Sequence, residues 1–319
     1  MAQAANNDPA PQLLSEKDMR SLTFVRAREW IVKSGLVGCT MFSILITVSI
    51  VVLLVRQSYV FFEYDEINLA KFAFGTEWNP LLGNEKHFGI LPLICGTLWV
   101  TFIAMAVALP LGLITAIFLS EYAPRRLRAV LKPMLEVLAG IPTVVYGFFA
   151  ISVITPFLRD GLGIPVDFFN ALSAGIAVGI LCIPTVSSLS EDALQAVPGR
   201  LREAAYGLGG TRFDVAVKVV VPAALSGIVS AFLLAIARAV GETMIVAMAA
   251  GARPVLTGNP ADQIQTMTGY ITQVATGDVT NFGIEYYSIY AVALTLFLIT
   301  LCLTLLGNVI RTRFRESYQ

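Results

Sequence analysis

One histidine, His87, stands in a chain of 319 residues, and a lone imidazole among charged loop residues builds no metal centre. The four cysteines, Cys39, Cys95, Cys182 and Cys302, all fall in apolar runs without a CxxC spacing. They read as small buried hydrophobes, which excludes a disulfide framework and a cysteine metal site. No Gly-Lys pair occurs, so the chain has no phosphate-cradling P-loop. Charge is scarce as well: 14% of residues are Asp, Glu, Lys or Arg, and 22 basic residues balance 22 acidic ones. No global field therefore recruits nucleic acid. Paired carboxylates or histidines near an interface, which an integral membrane enzyme would want, are missing too.

What the chain has is apolar surface. Hydrophobic residues make up 56% of it and the mean hydropathy is +0.74, whereas a soluble domain carries about a quarter charged residues. A spanning helix needs ~20 apolar residues to cross hydrocarbon ~30 Å thick. Stretches free of Asp, Glu, Lys and Arg run over 35–55, 88–120, 137–158, 168–190 and 286–310. A sixth, 219–252, is interrupted only by Arg238 and Glu242. Pro92 and Pro110 mark bends or boundaries in the second. The expected fold is an all-α integral membrane protein with six transmembrane helices.

Orientation follows from the basic residues. With the N-terminus in the cytoplasm, Arg238 lies within a span and five basic residues fall outside: Arg56, Lys71, Lys86, Arg159 and Arg253. The other sixteen fall inside, so both ends are expected in the cytoplasm. The organisation that results is a cytoplasmic tail over 1–34 with an interfacial helix at 22–33, then a first span over 35–56 and an outer loop over 57–88. A five-helix core follows over 89–311, with a cytoplasmic segment at 191–221 and a short tail at 312–319. The first span lacks a small-residue cleavage site and is expected to remain in place.

Two features carry chemistry. The segment 191–221 is long for a connection between spans. Glu203, Ala204 and Ala205 with Arg200 and Arg202 favour a short helix, and Gly207, Gly209 and Gly210 then turn the chain. Such a helix and elbow suits docking into another protein; a solvated loop with a chance Glu-Ala-Ala is the plainer reading. The second feature is Arg238 with Glu242, one helical turn apart in the fifth span and expected to stack on one face. Charge at the bilayer centre costs ~2.5–3.5 kcal/mol on insertion scales, so neither residue should face lipid. The pair is either a structural ion pair or a pathway site. A buried pair is a weak source of stability, and a guanidinium fork matches an oxyanion bidentately. Thr243 adjoins the pair. Pro142 and Gly140 break the third span, where Thr143 and Tyr146 offer hydroxyls to a passing anion or to packing. Lys132 and Glu136 read as an interfacial pair at the mouth of that span.

Glu203-Ala204-Ala205, three residues, Gly209, nine residues, then Val219-x-Val221-Pro222 resembles the EAA motif of ABC importer permeases, with valine standing for Ile and Leu. Arg238-Ala239-Val240-Gly241-Glu242-Thr243-Met244 resembles the signature of phosphate ABC permeases of the PstC type. Gly140 to Gly147 and Gly96-Thr97-Leu98 are similar to stretches of the same subunits. The resemblance covers about residues 90–310. It implies the type I ABC importer permease fold in a bacterial inner membrane, with the EAA helix (Glu203, Ala204, Ala205, Gly207, Gly209) seated in an ATPase cleft. It also implies a phosphate path through Arg238, Glu242, Thr243, Thr143 and Tyr146. The implied partners are a second permease subunit of the PstA type, a PstB-type ATPase dimer that binds the ATP and Mg, and a PstS-type phosphate-binding protein outside. No catalytic residue, metal or cofactor is implied in this chain itself. Permeases for molybdate or sulfate are the neighbouring alternative. An ion-coupled secondary transporter, with Glu242 carrying a proton, is the alternative from another class, and the twofold repeats that support it are not seen. Alkaline phosphatase fused after Gly75 is expected to be active and after Arg315 inactive; the reverse pattern would invert the orientation.

Overall fold

The computed structural model describes residues 16–65, 67–80, 86–277 and 283–313. By internal contact the chain divides into residues 1–53 and 54–319. In the first unit, helix α1 (Glu16–Phe62) begins without interruption through the stretches expected as interfacial helix and first span. Its side chains over 28–50 are exposed, Trp30, Leu36, Phe42 and Leu45 among them. Cys39 is exposed there and Cys302 on the last helix, so two of the four cysteines lie on outward apolar faces instead of being buried. Apolar side chains on these faces meet lipid at no cost, so burial is not demanded of them.

The second unit is held by helix-on-helix packing. Helix α2 is Leu69–Phe74, and two short antiparallel strands, β1 (Trp78–Asn79) and β2 (His87–Phe88), pair Trp78 with Phe88. Helix α3 (Leu91–Ile117) runs into a π-helical turn, Phe118–Tyr122. Helix α4 (Arg125–Ala139) is amphipathic and buries none of its residues. After a break at Gly140–Pro142, α5 (Thr143–Phe149) continues through π-helical turns to Gly161. Helix α6 (Ala171–Gln195) starts from Asn170, whose side chain accepts the Ser173 N–H. The short helices α7 (Gly199–Gly207), α8 (Arg212–Val215) and α9 (Val221–Ala223) precede α10 (Leu225–Val240). Then come α11 (Met244–Ala249), α12 (Met267–Thr276) and α13 (Ile284–Arg313).

Five helical stretches are long and apolar enough to cross a membrane. The pair Arg212–Ala223 and Leu225–Val240, bent by 72° at Ala224, passes the same test only when taken together, and counts as a sixth if it is one broken span. Five to six candidate spans are thus present among the described residues, and the third begins at Thr143, because Gly140 and Pro142 end α4.

Small residues set the spacing of the core. Helices α3 and α6 pack along their length, and Gly175 and Gly179 of α6 lie against Ile103, Ala104 and Val107 of α3. A Cβ on Gly175 would stand 2.6 Å from that of Ile103, and one on Gly179 2.9 Å from the Ala104 carbonyl. Close helix approach through small residues is the main packing device where lipid is as apolar as the side chains. At one end of the bundle Phe61, Phe72, Trp78, Phe88 and Tyr270 form an aromatic cluster. Its edge-to-face pairs include Trp78–Tyr270 at 4.9 Å and Phe61–Phe88 at 5.3 Å. The stretch expected as an outer loop thus has a packed core of its own. At the other end Ala116, Leu194, Val197, Val215, Val220 and Ile228 seat the short helices. Gly179→Val is expected to cost about 1–3 kcal/mol by overpacking, read as a lowered unfolding midpoint in detergent, whereas Gly199→Ala, with open space around it, leaves the midpoint in place.

Candidate functional site

The fifth span does not carry Arg238 and Glu242 on one continuous helix. Helix α10 ends at Val240, Gly241 caps it, and α11 starts anew at Met244. The expected stacking is therefore corrected: no ion pair joins Arg238 to Glu242 among the described residues. A helix that stops there frees backbone groups in an apolar setting, and they need partners. Glu242 supplies them. Its Oε1 accepts the N–H groups of Met244 at 3.1 Å and Ile245 at 3.3 Å, holding the start of α11. Its own carbonyl accepts the Thr268 hydroxyl from α12 at 2.7 Å. Glu242 and Thr268 are both buried.

Released from Glu242, Arg238 turns to α6. Its Nη1 donates to Thr185 Oγ1 at 3.1 Å, one residue after Pro184, which lies inside α6. Tyr146 is buried on α5 and donates its hydroxyl to the Leu138 carbonyl of α4 at 2.9 Å, which closes over the Gly140–Pro142 break. Gly147 beside it is pressed against Met248 and Ile245 of α11, where a Cβ would lie 3.0–3.4 Å from them. Helix α5, which carries Tyr146, is thus packed on α11, whose start Glu242 holds, while Arg238 is tied to α6. Thr143 opens α5 half-buried and no hydrogen bond ties it to them. Thr243 bonds back to Gly241, its hydroxyl donating at 3.3 Å.

Chemically the arrangement offers one guanidinium whose donors are not consumed by a carboxylate, just before a break between two helices, beside a threonine hydroxyl from a third. That suits an anion of tetrahedral or trigonal shape. Thr185 went unnoticed in the sequence, although Ile183-Pro184-Thr185-Val186 repeats Ile141-Pro142-Thr143-Val144 and was legible as such. Thr268 had no signal beyond a polar residue in an apolar stretch. A hollow of about 940 Å³ lies elsewhere, lined by Asn68, Lys71, Glu77 and His87, and holds none of these residues.

The second site is the segment over 191–221. Helix α7 carries Glu203, Ala204, Ala205 and Gly207, and Gly209 follows at φ +84°, a left-handed turn that glycine adopts without strain. Glu203, Ala204 and Gly207 face outward with Leu208, while Ala205 packs on the buried cluster. Helix α8 begins with a capping box, Thr211 to the Asp214 N–H and Asp214 back to Thr211. Lys218 and Thr211 hold the Asp214 carboxyl down at about 2. Charge also fastens α4 to α6. Arg128 reaches the fully buried Glu191 at 2.6 Å, and Lys132 reaches Glu191 at 2.9 Å and Asp192 at 2.8 Å. Asp192, then Glu191, raise the Lys132 pKa. The expected Lys132–Glu136 pair is corrected accordingly: Glu136 is exposed and Lys132 points to α6.

The family model described as binding-protein-dependent transport system inner membrane component matches residues 108–316. A probable ABC transporter permease of Bacillus subtilis, YqgH, is 33% identical over 97% of both chains. A phosphate transport system permease protein PstC of Mesorhizobium japonicum is 35% identical over 72% of this chain and 74% of its own. That of Xylella fastidiosa is 38% identical over 56% of this chain and 60% of its own. Among solved structures, a bacterial alginate ABC transporter in complex with its pentasaccharide-bound periplasmic protein has a chain that superposes at TM-score 0.66. That match is 12% identical and covers 91% of this chain and 97% of the other. The MetNI methionine ABC transporter gives TM-score 0.53 at 19% identity, covering 72% and 95%. At those identities the likeness is one of fold. Thr268→Val is expected to orphan the Glu242 carbonyl at a cost of about 1–3 kcal/mol, seen as faster amide hydrogen exchange over 241–246 with Thr268→Ser near wild type; unchanged exchange in the valine variant would contradict this bonding.

Proposed function

The chain belongs to the family of binding-protein-dependent transport system inner membrane components, and on that premise we propose that it is the permease subunit of an ATP-driven importer of inorganic phosphate. The observation that carries the substrate class is Arg238. An intramembrane guanidinium that pairs with a threonine hydroxyl and not with a carboxylate has donors to offer an oxyanion in transit. Relatives named as phosphate permeases support phosphate over molybdate or sulfate.

The substrate path runs past Arg238, with Tyr146 and the hydroxyls of Thr143 and Thr243 along it and Glu242 fixing the break that aims the arginine. This chain encloses the path together with a second permease subunit of the PstA type. An extracytoplasmic binding protein of the PstS type delivers phosphate, and a PstB-type ATPase dimer binds ATP and Mg and drives alternating access. Helix α7 docks into the ATPase through Glu203, Ala204 and Ala205, with Gly207 and Gly209 shaping the elbow and exposed Leu208 beside it. No covalent chemistry falls to this chain. It lies in a bacterial cytoplasmic membrane with both ends inside. As a proton carrier in a secondary transporter Glu242 is poorly placed, because its carboxylate is committed to the Met244 and Ile245 N–H groups.

Substitution separates these roles. Arg238→Gln is expected to lower phosphate uptake in membrane vesicles about tenfold or more, the scale of one hydrogen bond to a charged group. Arg238→Lys, which keeps the charge and loses the fork, falls between. Wild-type uptake by an assembled Arg238→Gln complex would remove Arg238 from the path.

A further inference from the structure

We infer that Arg202 is the positioning residue through which helix α7 moves the spans α3 and α6, a role that rests on the permease reading above. Helix α7 has no fully buried residue of its own. Besides the apolar contacts of Leu201 and Ala205, Arg202 is the α7 side chain whose hydrogen bonds reach α3 and α6 among the described residues. The guanidinium of Arg202 faces the carboxylate of Glu121, with Nη2 at 3.1 Å and Nε at 3.3 Å from Oε1. Nη1 donates to the Val197 carbonyl and Nη2 to the Leu194 carbonyl, both at 2.7 Å. Glu121 lies in the π-helical turn that follows α3, Leu194 lies in the last turn of α6, and Val197 follows two residues past the end of α6. One planar group thus spans three elements.

Each contact has a physical reason to be firm. The Glu121 side chain is only 6% exposed, and a carboxylate so placed needs a charged partner. The C-terminal end of α6 carries the negative end of the helix dipole, and a cation is favoured there. The other charges on α7 do no such work: among the described residues neither Arg200 nor Glu203 forms an ion pair. Farther along, Asp214 satisfies Thr211 and Lys218 within two turns of its own segment.

A push on α7 is therefore delivered to α3 and α6 at a fixed geometry. It is not dissipated at the end of α6, because Glu191 is clamped there to Arg128 and Lys132 of α4. Nine residues back along α6, about 14 Å at the helical rise, Thr185 holds Arg238. A rigid helix joins the docking surface to the residue facing the substrate.

The test uses the full complex, with both permease subunits, ATPase and binding protein in proteoliposomes. It reads phosphate accumulated per ATP hydrolysed, a ratio that a merely structural role would not move. Arg202→Gln is expected to lower that ratio ~5-fold or more, the scale of typical coupling between sites, while the assembled complex still hydrolyses ATP. Arg202→Lys keeps an ionic contact to Glu121 and loses the carbonyl contacts, so its ratio falls by less. The double variant Arg202→Gln with Glu121→Gln is expected to be no worse than Arg202→Gln alone, because the two share one interaction. A wild-type ratio in Arg202→Gln, or losses that multiply in the double variant, would overturn the assignment. If Arg202→Gln does not assemble, Arg202→Lys decides: a reduced ratio supports the assignment and a wild-type ratio overturns it. Failure of the permease reading looks different: the unsubstituted complex would hydrolyse ATP and accumulate no phosphate.

Discussion

A helix that stops in hydrocarbon must find partners for the backbone groups it releases, and α10 stops at Val240. The structure meets that demand with two side chains. Glu242 turns its carboxylate onto the start of α11, and Thr268 of α12 covers the Glu242 carbonyl. Because Glu242 is spent on backbone, Arg238 is left without a carboxylate and leans on Thr185 of α6. The setting of Arg238, bonded to a threonine and not to a carboxylate, is thus a consequence of how the break is satisfied. Had the helix run on, the two charges would have met at i, i+4 and paired, and the net charge left for a substrate would have been cancelled.

The opposite problem arises at the end of the bundle near α7, where charge is abundant and burial must be matched. Glu191 is fully buried and is met by Arg128 and Lys132, with Gln195 also donating to it. Glu121 is met by Arg202 and Ser120. Buried pairs of this kind add little net stability, since desolvation offsets attraction, but losing one partner is costly. Their effect is to fix which elements move together. Here they join α4 to α6, and α7 to both α3 and α6.

The spans and the docking segment were legible in the sequence, and much of the site's geometry was not. Long apolar runs announced the helices. Glu203-Ala204-Ala205 followed by Gly207 and Gly209 announced α7 and its elbow, because propensity and glycine turns are local properties. The break after Val240 was hidden: Gly241 alone does not stop a helix, and the carboxylate that restarts it looked like an ion-pair partner. The break before Thr143 was visible in Gly140 and Pro142. The clamps were hidden for another reason, since Arg202 and Glu121 are 81 residues apart and Lys132 and Asp192 are 60 apart. Charge pairing over such distances depends on how helices are stacked, whereas the local choice, Lys132 with Glu136, was the wrong one. The aromatic cluster of Phe61, Phe72, Trp78, Phe88 and Tyr270 was likewise divided between distant stretches.

The central claim is that a phosphate path lined by Arg238 is opened by ATP hydrolysis on a separate subunit. The most direct measurement is uptake of radiolabelled phosphate by proteoliposomes holding the chain with its partner permease, ATPase and binding protein. Accumulation is expected only with ATP on the ATPase side, unchanged when the pH gradient is collapsed and undiminished by excess sulfate or molybdate. Accumulation driven by a pH gradient with no ATPase present would contradict it.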